Sequence, residues 1–224
     1  MAADVMASLR VWSAERADVE QFADAVEFKE AEIRGNRPGT QWIWRWDSPL
    51  GPGCNLDTHS LRVAQQVVLC PIDIPARFPN RSDVFFGVMP DEDIALQLSL
   101  RSIDALAATG IDVNIDVYPV SEIDQIEVKP FDVKGGSSVA VVTVDTTTLV
   151  LELPRGSREW HRLVDAGVDA IGGDAVRDTS PGAALVFMLN LGSSSVLPFS
   201  SSHMSRINGA QSEIRLLLKR PADS

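Results

Sequence analysis

Five acidic side chains in this sequence have the chemistry to bind a cation or a basic protein. Asp91, Glu92 and Asp93 follow an apolar run, and Asp112 and Asp116 alternate with apolar residues in the segment IDVNIDVY. Carboxylates are the ligands that calcium and magnesium prefer, but this spacing does not match the DxDxDG pattern of a calcium loop. Charge of one sign concentrated on a strand attracts a basic partner instead. We therefore predict a face that binds a basic protein, and no metal site.

Two histidines offer general-base chemistry. His59 and His161 lie near the starts of two predicted helices, with Asp57, Glu159 and Asp165 close by in sequence. A general base needs an oriented partner and a nucleophile within reach, and the sequence identifies neither. We therefore predict no catalytic residue. The two histidines remain candidates for an alternative site, a pocket between two units of the chain.

Three tryptophans share one face of a predicted strand. Trp42, Trp44 and Trp46 are spaced so that their flat rings could form a platform for a sugar or a base. Core packing is the stronger prediction, because large aromatic side chains are mostly buried and Arg45 occupies the opposite face of the strand.

Motifs for cofactors are missing from the sequence. The glycine pairs at 135–136 and 172–173 lack the spacing of phosphate-binding loops. Cys54 and Cys70 lack the CxxC spacing typical of zinc sites. We expect no cofactor.

The composition restricts the classes of partner. The chain has 224 residues, of which 31 are acidic and 20 basic, and its formal net charge is −11. Such a charge repels phosphate backbones and anionic lipids, so neither nucleic acid nor a membrane is an expected partner. No secretory signal pattern or long apolar run is present, and we expect a soluble bacterial protein of the cytoplasm.

Apolar periodicity predicts the elements that position these groups. Ser99 is expected to cap a helix that ends at Gly110, and Pro71, Pro75 and Pro79 are expected to prevent regular structure up to Asn80. The predicted strands span residues 7–13, 30–36, 40–47, 84–89, 95–98, 111–118, 138–145, 147–153, 184–191 and 214–219. The predicted helices span residues 18–28, 57–68, 99–110, 157–172 and 202–208.

Two segments of the chain share one apolar pattern. Residues 84–119 align without a gap on residues 185–220, and the match is confined to positions typical of a core. The aligned pairs are Phe86 with Phe187, Val88 with Leu189, Leu96 with Leu197, Leu98 with Phe199, Ile103 with Met204, Leu106 with Ile207, Val113 with Ile214, Ile115 with Leu216 and Val117 with Leu218.

This repeat predicts an α+β protein built by internal duplication. We expect two related sheet-plus-helix units with mainly antiparallel strands, related by pseudo-twofold symmetry and packed as one compact body. The first unit is predicted to span residues 1–120 and the second, more diverged unit residues 121–224.

The first unit resembles the bacterial domain-of-unknown-function family 4279. The likeness rests on the strand ASLRVWS at 7–13, the strand WIWRW at 42–46, the helix start at Leu98 and Ser99, and the ending from Leu106 into IDVNIDVY. The resemblance implies an α+β domain in which helices pack on an antiparallel sheet. Some members of that family lie among toxin–immunity genes, which implies a role in protein binding.

Two classes of function follow from these observations. The leading hypothesis is a non-enzymatic interaction protein, an immunity-like module whose acidic face binds a basic toxin or enzyme. The alternative is a small-molecule-binding protein or a hydrolase with a pocket between the two units.

Overall fold

The fold combines helices with two mixed β-sheets. The structure is a computed structural model that describes residues 3–26, 28–35, 40–118, 137–144, 147–154, 160–172, 184–190 and 195–219. The strands in this part of the chain are β1 (Ala3–Ser13), β2 (Glu32–Gly35), β3 (Trp42–Asp47), β4 (Ser82–Pro90), β5 (Ile94–Leu98), β6 (Asp112–Val117), β7 (Ser137–Val144), β8 (Thr147–Pro154), β9 (Ala184–Asn190), β10 (Ser195–Phe199) and β11 (Glu213–Lys219). The helices are α1 (Arg16–Ala25), α2 (Leu56–Val68), α3 (Ile74–Arg77), α4 (Leu100–Ala108), α5 (Trp160–Gly172) and α6 (Ser201–Gly209). This mixture confirms the predicted α+β class.

The strands form two sheets. Sheet 1 has the order β10-β6-β4-β1-β3-β2, and sheet 2 has the order β5-β11-β9-β7-β8. Two neighbouring pairs, β4 with β6 and β9 with β11, are parallel, and the other described pairs are antiparallel. Each parallel pair is joined through a strand and a helix, because parallel neighbours need a crossover connection.

One face of sheet 1 packs into the core. In β6, the alternation of the sequence turns Val113, Ile115 and Val117 inward, as predicted, and all three are buried. Trp44 and Trp46 are also buried, which confirms the core prediction for these two rings, whereas Trp42 is half-buried. The inward residues of both sheets and the buried residues of the helices form one hydrophobic cluster.

The helices connect the two sheets. Helices α2, α4, α6 and α5 contact one another in that order. Helix α2 contacts β1 of sheet 1 and β5 of sheet 2, and α5 contacts β10 of sheet 1 and β7 of sheet 2. Each of these two helices therefore buries side chains against both sheets.

Two helix termini have the predicted chemistry. The Ser99 side chain accepts a hydrogen bond from the Ser102 N–H and caps α4, and Gly110 has the left-handed backbone (φ 66°) that ends it. The expectation of no regular structure around Pro75 was wrong. Pro75 lies in the first turn of α3, where its missing N–H leaves no hydrogen bond unmade.

The segments 84–119 and 185–220 have the same order of described elements, two strands, a helix and a strand. Leu98 pairs with Ile214, and Phe199 pairs with Val113. In the alignment, each residue of the first segment corresponds to the residue 101 positions later, so Leu98 corresponds to Phe199 and Val113 to Ile214. The two pairings therefore join corresponding residues of the two segments. All nine aligned apolar pairs are buried. The predicted boundary at residues 119–136 lies outside the described residues.

The segments also exchange a strand. β5 comes from the first segment and lies in sheet 2, whereas β10 comes from the second and lies in sheet 1. Both are edge strands of the described sheets. Pro198 in β10 has Gln97 in β5 as its counterpart, and these residues pair with Asn114 and Arg215 respectively.

None of the described helices is long and apolar enough to cross a membrane.

Replacing Trp44 with alanine should lower the free energy of unfolding by about 3–5 kcal/mol, the range for deleting a large buried aromatic side chain. Trp12, half-buried on the other face of sheet 1, is the matched control, and Trp12→Ala should have a smaller effect. Urea unfolding of both variants tests this. Equal losses in the two variants would contradict the core assignment of Trp44.

Candidate protein-binding face

The acidic side chains of β6 lie on the outer face of sheet 1, the face that points away from the hydrophobic core. We define this outer face by its outward side chains: Asp4, Met6, Ser8, Arg10 and Trp12 of β1, Glu32 and Arg34 of β2, Ile43, Arg45 and Asp47 of β3, Asp83, Phe85, Gly87 and Met89 of β4, Asp112, Asn114 and Asp116 of β6 with the adjoining Tyr118, and Val196 and Pro198 of β10. Phe85 is buried, yet it does not belong to the core cluster, so its neighbours on the same face cover it.

An ion pair between the half-buried Arg10 and the buried Asp83 lies at the centre of the outer face. The Arg10 guanidinium donates through two nitrogens to the Asp83 carboxylate, with Nε 2.7 Å from Oδ1. Asn114 Nδ2 donates to Asp83 Oδ2 over 2.7 Å, and the guanidinium lies 4.1 Å from the centre of the Phe85 ring. Asp83 is almost fully buried, and its negative charge is compensated by Arg10 while its oxygens accept hydrogen bonds from Arg10 and Asn114.

A second carboxylate, that of Asp116, has no such cation. Burial raises the pKa of Asp116 most strongly, and the positive charge of Arg10 and the hydroxyl of Tyr118 oppose this rise. The Tyr118 hydroxyl donates a long hydrogen bond of 3.4 Å to Asp116 Oδ2. Within the described part of the chain, Asp116 makes no ion pair. Asp116 is therefore a half-buried carboxylate whose charge is only partly compensated.

A row of paired residues crosses the outer face beside this carboxylate. Val196 pairs with Asp116, Asp116 with Gly87, and Gly87 with Met6. Met6 and Val196 are 41% and 37% exposed, which is high for large apolar side chains. A Cβ atom on Gly87 would lie 3.5 Å from atoms of Met6, Phe85 and Tyr118, so glycine leaves space for about one methyl group between them.

The remaining arginines of the outer face are paired within it. Arg45 Nε lies 2.7 Å from Asp47 Oδ1, which also accepts from the Ser8 hydroxyl over 2.6 Å. Arg34 pairs with Glu32 over 2.7 Å. Because each of the three arginines has an acidic partner, the excess charge of this face is negative and comes from Asp4, Asp112 and Asp116.

The structure places the five predicted acidic residues in two groups. Asp112 and Asp116 lie on the same face of β6, four residues apart. Asp112 accepts a hydrogen bond of 2.8 Å from the Ser201 N–H at the start of α6, so it also stabilises that helix. Asp91, Glu92 and Asp93 are exposed in the turn after β4, at the end of the sheet where Tyr118 follows β6.

The two predicted histidines have different environments. His161 is exposed on α5, whereas His59 is only 1% exposed on α2. The buried positions 56, 59, 60, 63, 64 and 67 of α2 recur in α5 at 160, 163, 164, 167, 168 and 171. His59 therefore corresponds to the buried Leu163, and the ring lies among core residues.

Neither ring nitrogen of His59 has a hydrogen-bond partner of ordinary geometry in the described residues. Burial lowers the pKa of His59, and the nearby Gly51 backbone only partly opposes this change. The imidazole is enclosed in this structure, and within the described residues no nucleophile is hydrogen-bonded to it.

The important residues that sequence reasoning missed are Arg10, Asp83, Asn114 and Tyr118. A signal was present, because the segments Asp83-Val84-Phe85 and Asp116-Val117-Tyr118 repeat one pattern, an acid two residues before an aromatic side chain.

In the described ranges, no group of three or more histidine, cysteine or acidic side chains is arranged to hold a metal ion.

Comparison with known proteins yields no relative: no family model, no curated protein and no solved structure matches this chain.

The two arginine–aspartate pairs of the outer face should differ in strength. Asp83→Asn should lower the free energy of unfolding by about 3 kcal/mol, because it leaves the Arg10 charge half-buried without a counter-ion. Asp47→Asn is the matched control and should cost about 1 kcal/mol or less, because Asp47 is solvent-exposed. Urea unfolding at neutral pH compares them. Similar losses would contradict the central role of the Arg10–Asp83 pair.

Stability should fall as the pH drops from about 7 to about 5, and His59 should account for part of that fall. The unfolded chain, in which the pKa of His59 is near 6.5, binds a proton that the folded chain binds less readily. His59→Leu should remove this part of the pH dependence and raise stability by about 1–3 kcal/mol, because an apolar side chain replaces unpaired buried nitrogens.

Urea unfolding across this pH range measures the effect. His161→Gln is the control, since His161 is exposed, and it should keep the pH dependence of the wild-type protein. An unchanged pH dependence in His59→Leu would contradict the assignment.

Proposed function

We propose that this protein is a non-enzymatic interaction protein that binds a basic protein partner through the outer face of sheet 1. The observation that carries this proposal is the row from Met6 to Val196, in which two exposed apolar side chains flank an incompletely compensated carboxylate. Apolar contact area combined with a few well-placed charges is characteristic of protein-binding surfaces.

The charges of the outer face support a basic partner. Each of its arginines is bonded to another acid, so the negative charges of Asp112 and Asp116 are not fully compensated within the face. The net charge of −11 extends the same field over the whole molecule and accelerates encounter with a positively charged protein. A half-buried carboxylate also gains more from a cationic partner than one surrounded by water.

We propose that this role is immunity-like and that the protein acts in the bacterial cytoplasm, where it would inhibit a basic toxin or enzyme. This proposal is motivated by the resemblance that the sequence suggests between residues 7–119 and family 4279, some members of which lie among toxin–immunity genes.

We also propose that the chain arose by internal duplication, with units at 1–120 and 121–224 related by pseudo-twofold symmetry. The common element order, the buried aligned residues and the reciprocal pairings of Leu98 with Ile214 and Phe199 with Val113 support it. The position of β7 beside β9 matches that of β1 beside β4, whereas α1, β2 and α3 have no counterpart among the described elements of the second unit.

Capture from a lysate of the native host tests the binding role. The wild-type protein should retain a basic protein that the variant Asp112→Asn/Asp116→Asn loses. Asparagine at 112 still offers an oxygen to the Ser201 N–H, so α6 should be preserved. The control Glu20→Gln/Asp169→Asn removes two exposed charges outside the outer face and should retain the partner.

Kinetics with the purified partner complete the test. The association rate should fall about tenfold in the outer-face variant and should fall with added salt for the wild-type protein. Binding that is unaffected by both the outer-face substitutions and salt would refute the proposal.

A further inference from the structure

Two neighbouring strands carry the same arrangement of an acid and an aromatic ring. Asp83 and Phe85 lie on β4, and Asp116 and Tyr118 lie on and just after the parallel strand β6. Both acids and both rings are on the outer face, because residues two apart on a strand point the same way. The two pairs are offset along the sheet, since Asp83 is opposite Asp112 and Gly87 is opposite Asp116.

The first pair holds a guanidinium. Arg10 donates two hydrogen bonds to Asp83 while its guanidinium carbon lies 4.1 Å from the centre of the Phe85 ring. Arginine suits this arrangement because its planar fork matches a carboxylate and its flat face stacks on an aromatic ring.

The second pair has the acid and the ring but no cation bonded to the acid, although the charge of Arg10 acts on both residues from its place beside Asp83. In the described part of the chain, the Asp116 carboxylate accepts the 3.4 Å hydrogen bond from the Tyr118 hydroxyl, and no arginine or lysine side chain is bonded to it. Arg10 cannot serve both acids at full strength, because two of its nitrogens are bonded to Asp83.

The surroundings of the second pair suit the stem of an arginine side chain. The gap above Gly87 is bordered by the Met6 methyl group and the Phe85 and Tyr118 rings. An aliphatic stem crossing this gap contacts apolar atoms while its charged end reaches the carboxylate. Met6 and Val196 at the ends of the row leave the approach exposed.

We infer that Asp116 and Tyr118 form a receptor for a guanidinium group, which an arginine side chain of the partner protein supplies. This inference rests on the proposed function and deepens it, because it names the residue type that anchors the partner. The Arg10–Asp83–Phe85 arrangement is the internal example of the filled receptor.

A single fluorine label reports on this receptor. Tyr118 is the only tyrosine of the chain, so protein grown with 3-fluorotyrosine gives its ¹⁹F resonance from this residue alone. The probe is N-acetyl-arginine methylamide, and the matched control is N-acetyl-citrulline methylamide, which has nearly the same shape without the charge. The arginine probe should shift the resonance in a saturable manner, and the citrulline probe should not.

Variants separate the receptor from general charge attraction. Asp116→Asn should weaken binding of the arginine probe about tenfold, the loss expected when one charge-assisted hydrogen-bond pair is removed. Glu20→Gln removes an equal charge from α1 and should leave the affinity unchanged. Gly87→Ala, whose methyl group fills the gap, should also weaken binding, and the ¹⁹F linewidth together with urea unfolding verifies that this variant is folded.

The outcomes distinguish this inference from the proposed function. Equal shifts with arginine and citrulline, or an unchanged affinity in Asp116→Asn, overturn the receptor even if the captured partner still depends on the outer face. A saturable, Asp116-dependent shift supports the receptor even if no partner is captured from the lysate.

Discussion

The reciprocal exchange of β5 and β10 is the constraint on which the rest of the structure depends. Each segment contributes the edge strand of the sheet that is otherwise built from the other half, so the apolar faces of Leu98 and Phe199 are buried only when both halves are present. Helices α2 and α5 reinforce this connection, because each packs against both sheets. One continuous core results, and its loss in either half would expose apolar surface in the other.

The position of the helices determines the character of the outer face. In β6, apolar and polar residues alternate strictly, so the apolar side chains point toward the helices and the polar ones to the other side. The strands β1 and β4 have the same orientation, but they also place Met6, Trp12, Phe85 and Met89 on the outer face. Asp83 can be buried there only because Arg10 and Asn114 reach it from the strands on either side. Gly87 has no side chain, so it leaves a small gap in the outer face between Met6, Phe85 and Tyr118.

Much of the fold follows from local patterns in the sequence, whereas the pairing of distant strands does not. Alternation was sufficient to orient Asp112 and Asp116 outward, and the cap at Ser99 followed from one side chain and one N–H. Alternation predicts which side chains of a strand are buried, but it does not predict which strand lies beside it. The exchange of β5 and β10 therefore could not be predicted from the sequence. The Arg10–Asp83 pair needs two strands 73 residues apart in the correct register, which no local pattern specifies. His59 occupies an apolar position of its helix despite its polarity, and burial there is a property of the packed core rather than of the residue.

Pro198 in β10 gives the two exchanged edges different chemistry. A proline has no N–H, so an extended chain approaching this edge of sheet 1 finds one hydrogen-bond donor fewer. Its counterpart Gln97 retains the N–H, and in the described residues β5 has no strand on its other side. Protection against edge-to-edge aggregation is therefore built into the covalent structure at one edge. At the other edge, mutual repulsion between molecules of net charge −11 opposes such contacts, and dissolved salt weakens this repulsion.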